Sequence, residues 1–333
     1  MRERDFLVLD IGTEAVKASF GGKTSLRYYD MFGVFDGRDF GRDVMEKALL
    51  GVIKDLKAEG KPSLLSLPPD VLRARISSHS LEIKNFKGDI RGEILRHNQK
   101  EVSEAFFREA GILPQELEFL DQLFLEQKID GYRTPSFKGY EGREAEAVIL
   151  SVFSAKEDLN KYREIFRKLG IKFLKIAHPV QGLIKVFDKK GGVFLDVGGE
   201  ITQIFVVKDG GLQEIFDFPM GGKDFSKALS EALGLPEERG RILKEEYSHG
   251  KMEETTRRKF NEIFVGMMKE WYRNLKLKLK ESRGWLPYKF FLFGGASQLP
   301  EISEILEEEH SLEILKNPQE INLILLSNVP KKF

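Results

Sequence analysis

Short apolar runs that end in glycine recur at three places along this chain. Near the N-terminus, residues 6–20 (FLVLDIGTEAVKASF) consist of an apolar run, a small turn at Gly12-Thr13 and a second apolar run. Residues 191–208 (GGVFLDVGGEITQIFVVK) repeat this arrangement, and residues 290–300 (FFLFGGASQLP) place two glycines between an apolar run and a helix start. Apolar runs of this length bounded by glycine predict strands. We therefore expect two similar hairpins and a later strand that leads into a helix.

Between the two hairpins, the apolar spacing alternates between strand and helix periods. Residues 6–35 predict three short strands, and residues 42–59 predict a helix that ends at Gly60. Residues 63–67 then predict a buried strand, and residues 71–83 predict an extended, partly exposed segment.

Residues 76–160 interrupt the glycine-rich pattern and carry elements of their own. We expect a helix over residues 87–110, an extended middle over 117–138, a strand over 145–153 and a helix over 155–169. This stretch therefore predicts an inserted subdomain.

The rest of the chain supplies further elements around the second hairpin. The predicted elements are a strand over 170–176, a helix over 177–187, a strand over 211–218, helices ending at Leu233 and covering 241–247, and a long helix over 260–279. The alternation of strands and helices is typical of an α/β protein.

Composition narrows the class of protein. The 333 residues are 41% hydrophobic and 32% charged, which suits a globular chain with two large domains. The 53 basic and 53 acidic residues cancel, so no global field favours nucleic acid. The absence of cysteine excludes disulfides, thiolate zinc sites and cysteine nucleophiles.

No signal pattern precedes the first strand and no apolar run approaches the ~20 residues that span a bilayer, so we expect a cytoplasmic protein.

The chemistry of the glycine motifs points to a phosphate ligand. Glycine lets backbone N–H groups approach an anion closely. Asp10 and Asp196 each follow an apolar strand at equivalent places in the two hairpins, and a carboxylate there can hold Mg²⁺, usually through water. Three such motifs in this order predict a nucleotide site between two similar halves.

These residues resemble the motifs of a known superfamily. Asp10-Ile11-Gly12-Thr13, Asp196-Val197-Gly198-Gly199 and Gly294-Gly295-Ala296 are similar to the phosphate-1, phosphate-2 and adenosine motifs of the actin-like ATPases. Within that superfamily, the chain most resembles FtsA, the bacterial cell-division actin, and its relative PilM of type IV pili. The resemblance implies an α/β, actin-like fold of two ribonuclease-H-type domains, with ATP and Mg²⁺ in the cleft between them.

The resemblance also implies a division into four parts. The expected parts are a first domain of residues 1–75 and 161–190, an inserted subdomain of 76–160, a second domain of 191–224 and 285–333, and a small subdomain of 225–284. The insertion resembles the FtsA subdomain called 1C, especially at Ile129-Asp130-Gly131-Tyr132. In FtsA that subdomain is implied to mediate filament contacts and to recruit later division proteins.

Carried over residue by residue, the resemblance implies a set of site residues. The expected nucleotide-binding residues are Asp10, Gly12, Thr13, Lys17, Asp196, Gly198, Gly199, Thr202, Gly221, Gly222, Lys244, Gly294, Gly295 and Ala296. Asp10 and Asp196 are the expected surroundings of Mg²⁺, and Lys244 is the expected contact with ribose or base. The position that orients the attacking water, next to Pro179, holds His178, and Gln181 one turn further on is the alternative. An unperturbed histidine there would be partly protonated near neutral pH.

Three departures from the family pattern modify this expectation. Glu200 stands where relatives carry a small residue, and we expect it to repel the phosphates; Gln203 stands where many carry aspartate. Together with His178, these changes predict slow hydrolysis. The sequence stops at Phe333 before any counterpart of the linker and amphipathic membrane helix that end FtsA, so either the anchor is absent or the sequence was cut before it.

The leading functional hypothesis is an ATP-binding cytoskeletal protein of cell division. It would form nucleotide-dependent filaments at the inner face of the membrane and contact a tubulin-like division-ring protein. The alternative is a PilM-like adaptor that binds a short peptide of a pilus assembly protein. The insertion at 76–160 favours the first hypothesis, and the length of 333 residues favours the second. A small-molecule kinase is a third possibility, because kinases share the fold.

Overall fold

The computed structural model describes residues 6–29, 40–84, 86–187, 191–282 and 285–330. In these ranges the strands are β1 (Leu7–Ile11), β2 (Ala15–Phe20), β3 (Lys23–Tyr28), β4 (Ser63–Ser66), β5 (Arg73–Glu82), β6 (Leu117–Ile129), β7 (Tyr132–Arg133), β8 (Glu144–Ala155), β9 (Phe173–Ile176), β10 (Gly192–Val197), β11 (Thr202–Lys208), β12 (Gly211–Phe218), β13 (Lys289–Phe293) and β14 (Ser311–Ile314). The helices are α1 (Phe40–Asp55), α2 (Ile90–Ala110), α3 (Lys156–Lys168), α4 (Val180–Phe187), α5 (Gly222–Leu233), α6 (Glu237–Ser248), α7 (Glu254–Lys280), α8 (Pro300–Glu307) and α9 (Ile321–Ser327).

Two five-stranded sheets share one topology. The first has the order β3-β2-β1-β4-β9 and the second the order β12-β11-β10-β13-β14. In both, the first three strands are antiparallel and the last two run parallel to the central strand. The equivalent register pairs Asp10 with Lys17 in one hairpin and Asp196 with Gln203 in the other. The predicted α/β class and duplicated core are confirmed.

A third, antiparallel sheet of order β5-β8-β6-β7 covers most of the predicted insertion and begins just before it, at Arg73. On one face, Ile94 of α2 packs against Ala145 and Ile149 of β8. On the other face, Leu150 joins an apolar cluster with Phe205 of the second sheet. The insertion is therefore packed against the second half of the molecule as well as joined to the first. The exact domain boundaries stay a prediction.

Helices α4 and α9 connect the two halves. Leu183 of α4 packs against Phe194 and Phe291 of the second sheet, while Leu323 of α9 packs against Val8 of the first sheet. The helices cross so closely that a Cβ built on Gly182 would lie 1.9 Å from the carbonyl oxygen of Leu325. Only glycine fits at this crossing.

Two predicted helix boundaries are wrong for local reasons. Helix α4 begins at Val180 rather than at residue 177, because a residue that precedes proline, here His178, avoids the helical conformation. Helix α1 ends at Asp55 rather than at residue 59, and the chain leaves it through Lys57, whose φ is +52°. The predicted strand segment beyond residue 29 lies outside the described residues. No helix in the described ranges is long and apolar enough to cross a bilayer.

Candidate functional site

The two predicted glycine turns lie at the tips of the hairpins β1–β2 and β10–β11. The Gly12 N–H donates to the Ala15 carbonyl at 2.9 Å, and the Gly198 N–H donates to the Ile201 carbonyl at 3.1 Å. Each turn is therefore closed by a backbone hydrogen bond at the equivalent position, as expected from two copies of one motif.

The hairpin tips contact each other across a cleft. The Glu200 N–H donates to Thr13 Oγ1 at 3.1 Å. A Cβ built on Gly199 would lie 2.6 Å from the same Thr13 oxygen. Glycine at 199 is therefore required by the approach of the other half of the molecule.

The tips also present free backbone donors. The N–H groups of Thr13, Glu14 and Gly199 have no hydrogen-bond partner among the residues the structure describes. Unpaired N–H groups that converge at turns form the concave anion sites found in many phosphate-binding proteins. The arrangement supports the prediction that these turns face phosphate.

Two buried carboxylates lie beneath the tips. Asp10 and Asp196 line one cavity of about 90 Å³. Lys17 Nζ lies 3.6 Å from Asp10 Oδ2, and Asn322 Nδ2 donates to Asp196 Oδ2 at 2.9 Å. Burial raises the pKa of Asp196, and the nearby Lys17 charge opposes that shift. The two carboxylates, Asp10 and Asp196, would therefore stabilise an additional cation between them.

The donor set suits Mg²⁺ carried by a polyphosphate. Two carboxylates are too few for a protein-only site, and no group of three or more acidic, histidine or cysteine side chains that could hold a metal occurs in the described part of the chain. Mg²⁺ prefers six oxygen ligands and keeps several waters, so phosphate oxygens would complete its shell. Asp10 and Asp196 therefore fit the predicted role, most simply through water.

The third glycine motif closes the floor of the cleft. Gly294 has a φ of +94°, and a Cβ there would lie 2.3 Å from Asp196 Oδ1. Its N–H donates to the Pro318 carbonyl at 2.9 Å, so it is not available to a ligand. Gly295 lines both cleft cavities and Ala296 lines the smaller one. Gly294 thus shapes the site, while its two neighbours contact the space within it.

Gly221 has a different role from the one predicted. The N–H groups of Gly222 and Lys223, at the start of α5, donate to the carbonyls of Gly198 and Gly199 at 2.8 Å each. A Cβ on Gly221 would lie 2.5 Å from the Gly199 carbonyl oxygen. Gly221 therefore fixes the second hairpin tip against α5 and lines neither cavity, whereas Gly222 lines the smaller one.

A second cavity, of about 50 Å³, continues the cleft towards α6. The buried Lys244 lines it, and its Nζ donates to the Gly222 carbonyl at 2.7 Å. Burial lowers the pKa of Lys244, while Glu14 opposes that shift. Lys244 thus lies at the end of the cleft away from the Asp10 and Asp196 carboxylates, and its contact with ribose or base stays a prediction.

The structure contradicts the predicted role of Thr202. Its hydroxyl donates to the Met220 carbonyl at 2.7 Å and accepts from Trp271 Nε1 at 3.0 Å. Its neighbour Gln203 lines the larger cavity. Successive residues of a strand face opposite sides, so Thr202 points into the core of the second half.

His178 lines the larger cavity, but it is neutral near pH 7, contrary to the partial protonation that the sequence predicts. It is 2% exposed, and burial lowers its pKa to about 3. The Val180 N–H donates to its Nδ1 at 3.2 Å. The Nε2 faces the side-chain amide of Gln203 at 3.3 Å.

The predicted role of Gln181 is also corrected. Its Oε1 accepts from the His178 N–H at 2.8 Å, and its Nε2 donates to Asp121 Oδ2 at 2.8 Å. It lines neither cleft cavity. Gln181 therefore connects α4 to strand β6 of the third sheet and cannot orient a water in the cleft from this position.

Glu200 does not stand as an isolated charge beside the phosphate turns. Lys223 Nζ donates to Glu200 Oε1 at 2.6 Å. Both side chains are partly exposed, so the pair contributes little to stability. The predicted repulsion of phosphate by Glu200 is thus offset by a neighbouring cation.

Among the cleft residues that sequence reasoning missed are Glu14, Tyr28 and Asn322. Glu14 and Tyr28 line both cavities, and Asn322 lines the larger one. Glu14 follows Thr13 directly, so the motif itself could have indicated it. Asn322 lies in α9, 126 residues from its partner Asp196, and nothing local in the sequence marks it.

The buried neutral state of His178 predicts a pH-dependent stability. The pKa of His178 in the folded protein is about 3, below its ordinary value of 6.5. The contribution of this residue to stability is complete above pH 6.5. It is lost as the pH falls towards 3, because the unfolded chain binds a proton at His178 that the folded protein does not bind. Between pH 7.5 and 5.5 the parent should lose about 1.4 kcal/mol of unfolding free energy more than His178→Gln. Urea denaturation at both pH values measures the difference. Equal losses in the two proteins would contradict the buried neutral histidine.

No protein-family model matches the chain. No curated protein matches its sequence.

Solved structures do match its fold. A chain of the PilM–PilN type IV pilus biogenesis complex is 15% identical with a TM-score of 0.72, and the match covers 98% of each chain. MreB5 of Spiroplasma citri bound to AMPPNP is 11% identical with a TM-score of 0.55, over 100% of this chain and 97% of that one. The ethanolamine utilization protein EutJ of Carboxydothermus hydrogenoformans is 14% identical with a TM-score of 0.55, over 98% and 89%.

These likenesses define the fold of the chain. The chain has the actin-like ATPase fold, as its two equivalent sheets and the cleft between them indicate. Identities of 11% to 15% show the fold alone. The particular resemblance to FtsA stays a prediction.

Proposed function

We propose that the chain is a nucleotide-binding adaptor of the PilM type, in which nucleotide controls the binding of a pilus assembly protein. The observation that supports this reading best is the likeness to the PilM–PilN complex chain, which extends over 98% of both chains and so includes the third sheet. The likeness to MreB5 has the lower TM-score of 0.55. The proposal thus favours the alternative hypothesis over the leading one.

The cleft supports the nucleotide part of this proposal. The free N–H groups of Thr13, Glu14 and Gly199 would bind phosphate oxygens, and Lys17 would neutralise their charge. Bound Mg²⁺ would add positive charge at the same oxygens, with Asp10 and Asp196 holding its waters.

Adenosine would extend towards the second cavity. Lys244 and the backbone of Gly295 line that space. The cavities of about 90 and 50 Å³ are smaller than typical ligand pockets, which measure about 300–1,000 Å³. We therefore expect the two halves to move apart when a nucleotide binds.

The same geometry argues for slow hydrolysis. Hydrolysis needs a group that orients the attacking water. His178 is neutral, and both of its ring nitrogens face protein groups, while Gln181 is bound to Asp121. Nucleotide would therefore act as a conformational ligand more than as a fuel.

A second candidate is a filament-forming protein of cell division at the inner face of the membrane. The fold shared with MreB5 and the inserted third sheet favour it. Head-to-tail contacts between copies would give open filaments. A kinase is a weaker candidate, and phosphoryl transfer to a panel of sugars and acetate tests it.

Partner binding distinguishes the two leading candidates. Labelled peptides that tile the cytoplasmic segment of a PilN-like protein from the same source are titrated with the protein in Mg·ATP and in Mg·ADP. We expect one peptide to bind with an affinity that differs between the nucleotides, because the adaptor reports nucleotide state through domain position. Scrambled peptides of equal charge are the control.

The same samples test assembly and turnover. The adaptor should stay monomeric in sedimentation velocity and release phosphate more slowly than about 1 per second, the low end of ordinary enzymes. Filaments on a lipid monolayer with no peptide binding would favour the cell-division candidate instead.

A further inference from the structure

Asn322, on α9, lies against one of the two carboxylates of the cleft. It lines the larger cavity, and its Nδ2 donates to Asp196 Oδ2 at 2.9 Å. An ionised carboxylate only accepts hydrogen bonds, so the nitrogen of the Asn322 amide and not its oxygen must face Asp196. The orientation of the amide is therefore determined by the carboxylate that it contacts.

The other oxygen of the same carboxylate lies against Gly294. A Cβ built on Gly294 would lie 2.3 Å from Asp196 Oδ1, so no other residue leaves room for the carboxylate in this position. Asp196 is 7% exposed and is thus confined on both sides. Each carboxylate oxygen can accept two hydrogen bonds, so the single bond from Asn322 leaves Asp196 able to hold the waters of a metal ion.

Backbone hydrogen bonds fix Asn322 itself. The Leu315 N–H donates to the Leu292 carbonyl at 2.9 Å, and the Gly294 N–H donates to the Pro318 carbonyl at 2.9 Å. Both bonds attach the segment that leads into α9 to the end of β13, the strand that pairs with β10 beside the carboxylate. Asn322 is therefore carried by a segment whose position is set by the sheet, as a positioning residue requires.

The two carboxylates of the cleft have different partners. Lys17 Nζ lies 3.6 Å from Asp10 Oδ2, so Asp10 is next to a cation. Asn322 is neutral, and a neutral amide orients Asp196 without cancelling its charge. The carboxylate that is most firmly oriented is thus held by a group that leaves its attraction for a cation in place.

From this geometry we propose that Asn322 is a positioning residue that makes the cleft prefer the Mg²⁺ complex of a nucleotide to the metal-free nucleotide. The inference rests on the proposed nucleotide site and adds the form in which the ligand binds. A metal-free polyphosphate would face the negative charge of Asp196 directly, whereas the waters of Mg²⁺ would lie between the two groups. Asn322 keeps Asp196 in the orientation that favours those waters.

Asn322→Leu tests the preference, because leucine has a similar size and no donor. Calorimetry with ADP, once with Mg²⁺ and once with EDTA, gives the ratio of the Kd for free ADP to the Kd for Mg·ADP. Partners that orient the carboxylates of a metal site contribute about 10- to 100-fold to metal affinity, so the ratio should be at least about tenfold smaller in the variant than in the parent. A purely structural role would weaken both forms equally, and an unchanged ratio would overturn the proposal.

Asn328→Leu is the matched control. Asn328 is an exposed asparagine at the C-terminal end of the same helix, outside both cleft cavities. This variant should keep the ratio of the parent. A fall of the ratio equal to that of Asn322→Leu would mean that any change in α9, and not the contact with Asp196, determines the preference for Mg²⁺.

Mn²⁺ provides a readout of the metal itself, because it shares the preference of Mg²⁺ for six oxygen ligands. Mn²⁺ is titrated into the ADP complexes of the parent and of Asn322→Leu, and the free ion is measured by electron paramagnetic resonance. We expect a Kd for Mn²⁺ about tenfold higher in the variant. Equal values would contradict the positioning role.

A double-mutant cycle tests the contact without nucleotide. Asn322→Leu, Asp196→Ala and the double variant are unfolded in urea. Since the two residues share one hydrogen bond, we expect the double variant to be less destabilised than the sum of the two single effects. Additive effects would contradict the hold of Asn322 on Asp196.

The measurements separate the possible failures. Non-additive stabilities in a parent that binds no ADP would overturn the proposed function, and the preference for Mg²⁺ with it, and leave only the contact between Asn322 and Asp196. Binding of ADP with the same Mg²⁺ preference in the parent and in Asn322→Leu would overturn the role of Asn322 and leave the proposed function standing.

Discussion

Gly182→Ala should be the most damaging methyl addition in the described part of the chain. The new Cβ would lie 1.9 Å from the carbonyl oxygen of Leu325 and 2.7 Å from its carbonyl carbon. Both atoms are backbone of α9, so no side chain can move aside. Helices α4 and α9 must separate, and each packs against the sheet of the opposite half. We expect a loss of about 3 kcal/mol or more in the free energy of unfolding.

Gly266→Ala is the matched control for this variant. Gly266 lies within α7, where a Cβ would meet no atom within 4 Å. Alanine is favoured over glycine inside a helix, so this variant should gain about 1 kcal/mol. Urea denaturation measures the free energy of unfolding of both variants, in which the same substitution should have opposite effects. Equal stability of the two would contradict the close crossing of α4 and α9.

The second large effect concerns Lys17, the one Lys or Arg that lines the larger cavity within the described ranges. Its ammonium lies 3.6 Å from Asp10 and favours the ionised form of Asp196. Lys17→Met keeps the apolar stem and removes the charge. A hydrogen bond to a charged group is worth about 1.5–3 kcal/mol, so the Kd for a nucleoside triphosphate should rise roughly 10- to 150-fold.

Lys23→Met serves as the control for Lys17→Met. Lys23 is an exposed lysine of β3, so its replacement should leave the Kd unchanged. A similar loss of affinity in both variants would mean that general charge, and not the position of Lys17, determines binding.

The duplicated sheets could be predicted because their signal is local. Each hairpin places an aspartate at the end of an apolar strand and glycine in the next few residues, as in Asp10-Ile11-Gly12 and Asp196-Val197-Gly198. Strand length, alternation and turn chemistry all agree at these positions. Two copies of one pattern then indicate two copies of one sheet.

The roles of individual side chains were harder to predict because they depend on contacts across the molecule. Strand alternation excludes a common direction for Thr202 and Gln203, and the motif resemblance carries no information on the direction of either side chain. The neutral state of His178 follows from burial between the halves, which no local pattern reports. The resemblance implies that Gly221 contacts the ligand, whereas the structure requires glycine there because the Gly199 carbonyl oxygen lies too close for a Cβ.

The most direct test of the account is a calorimetric titration of the parent protein with Mg·AMP-PNP, alongside Lys17→Met and Lys23→Met. The cleft between the two sheets should bind one nucleotide per chain, Lys23→Met should match the parent, and Lys17→Met should bind at least tenfold more weakly. Absence of binding by the folded parent at millimolar nucleotide, or equal binding by the parent and Lys17→Met, would contradict a nucleotide site formed by Asp10, Lys17 and Asp196.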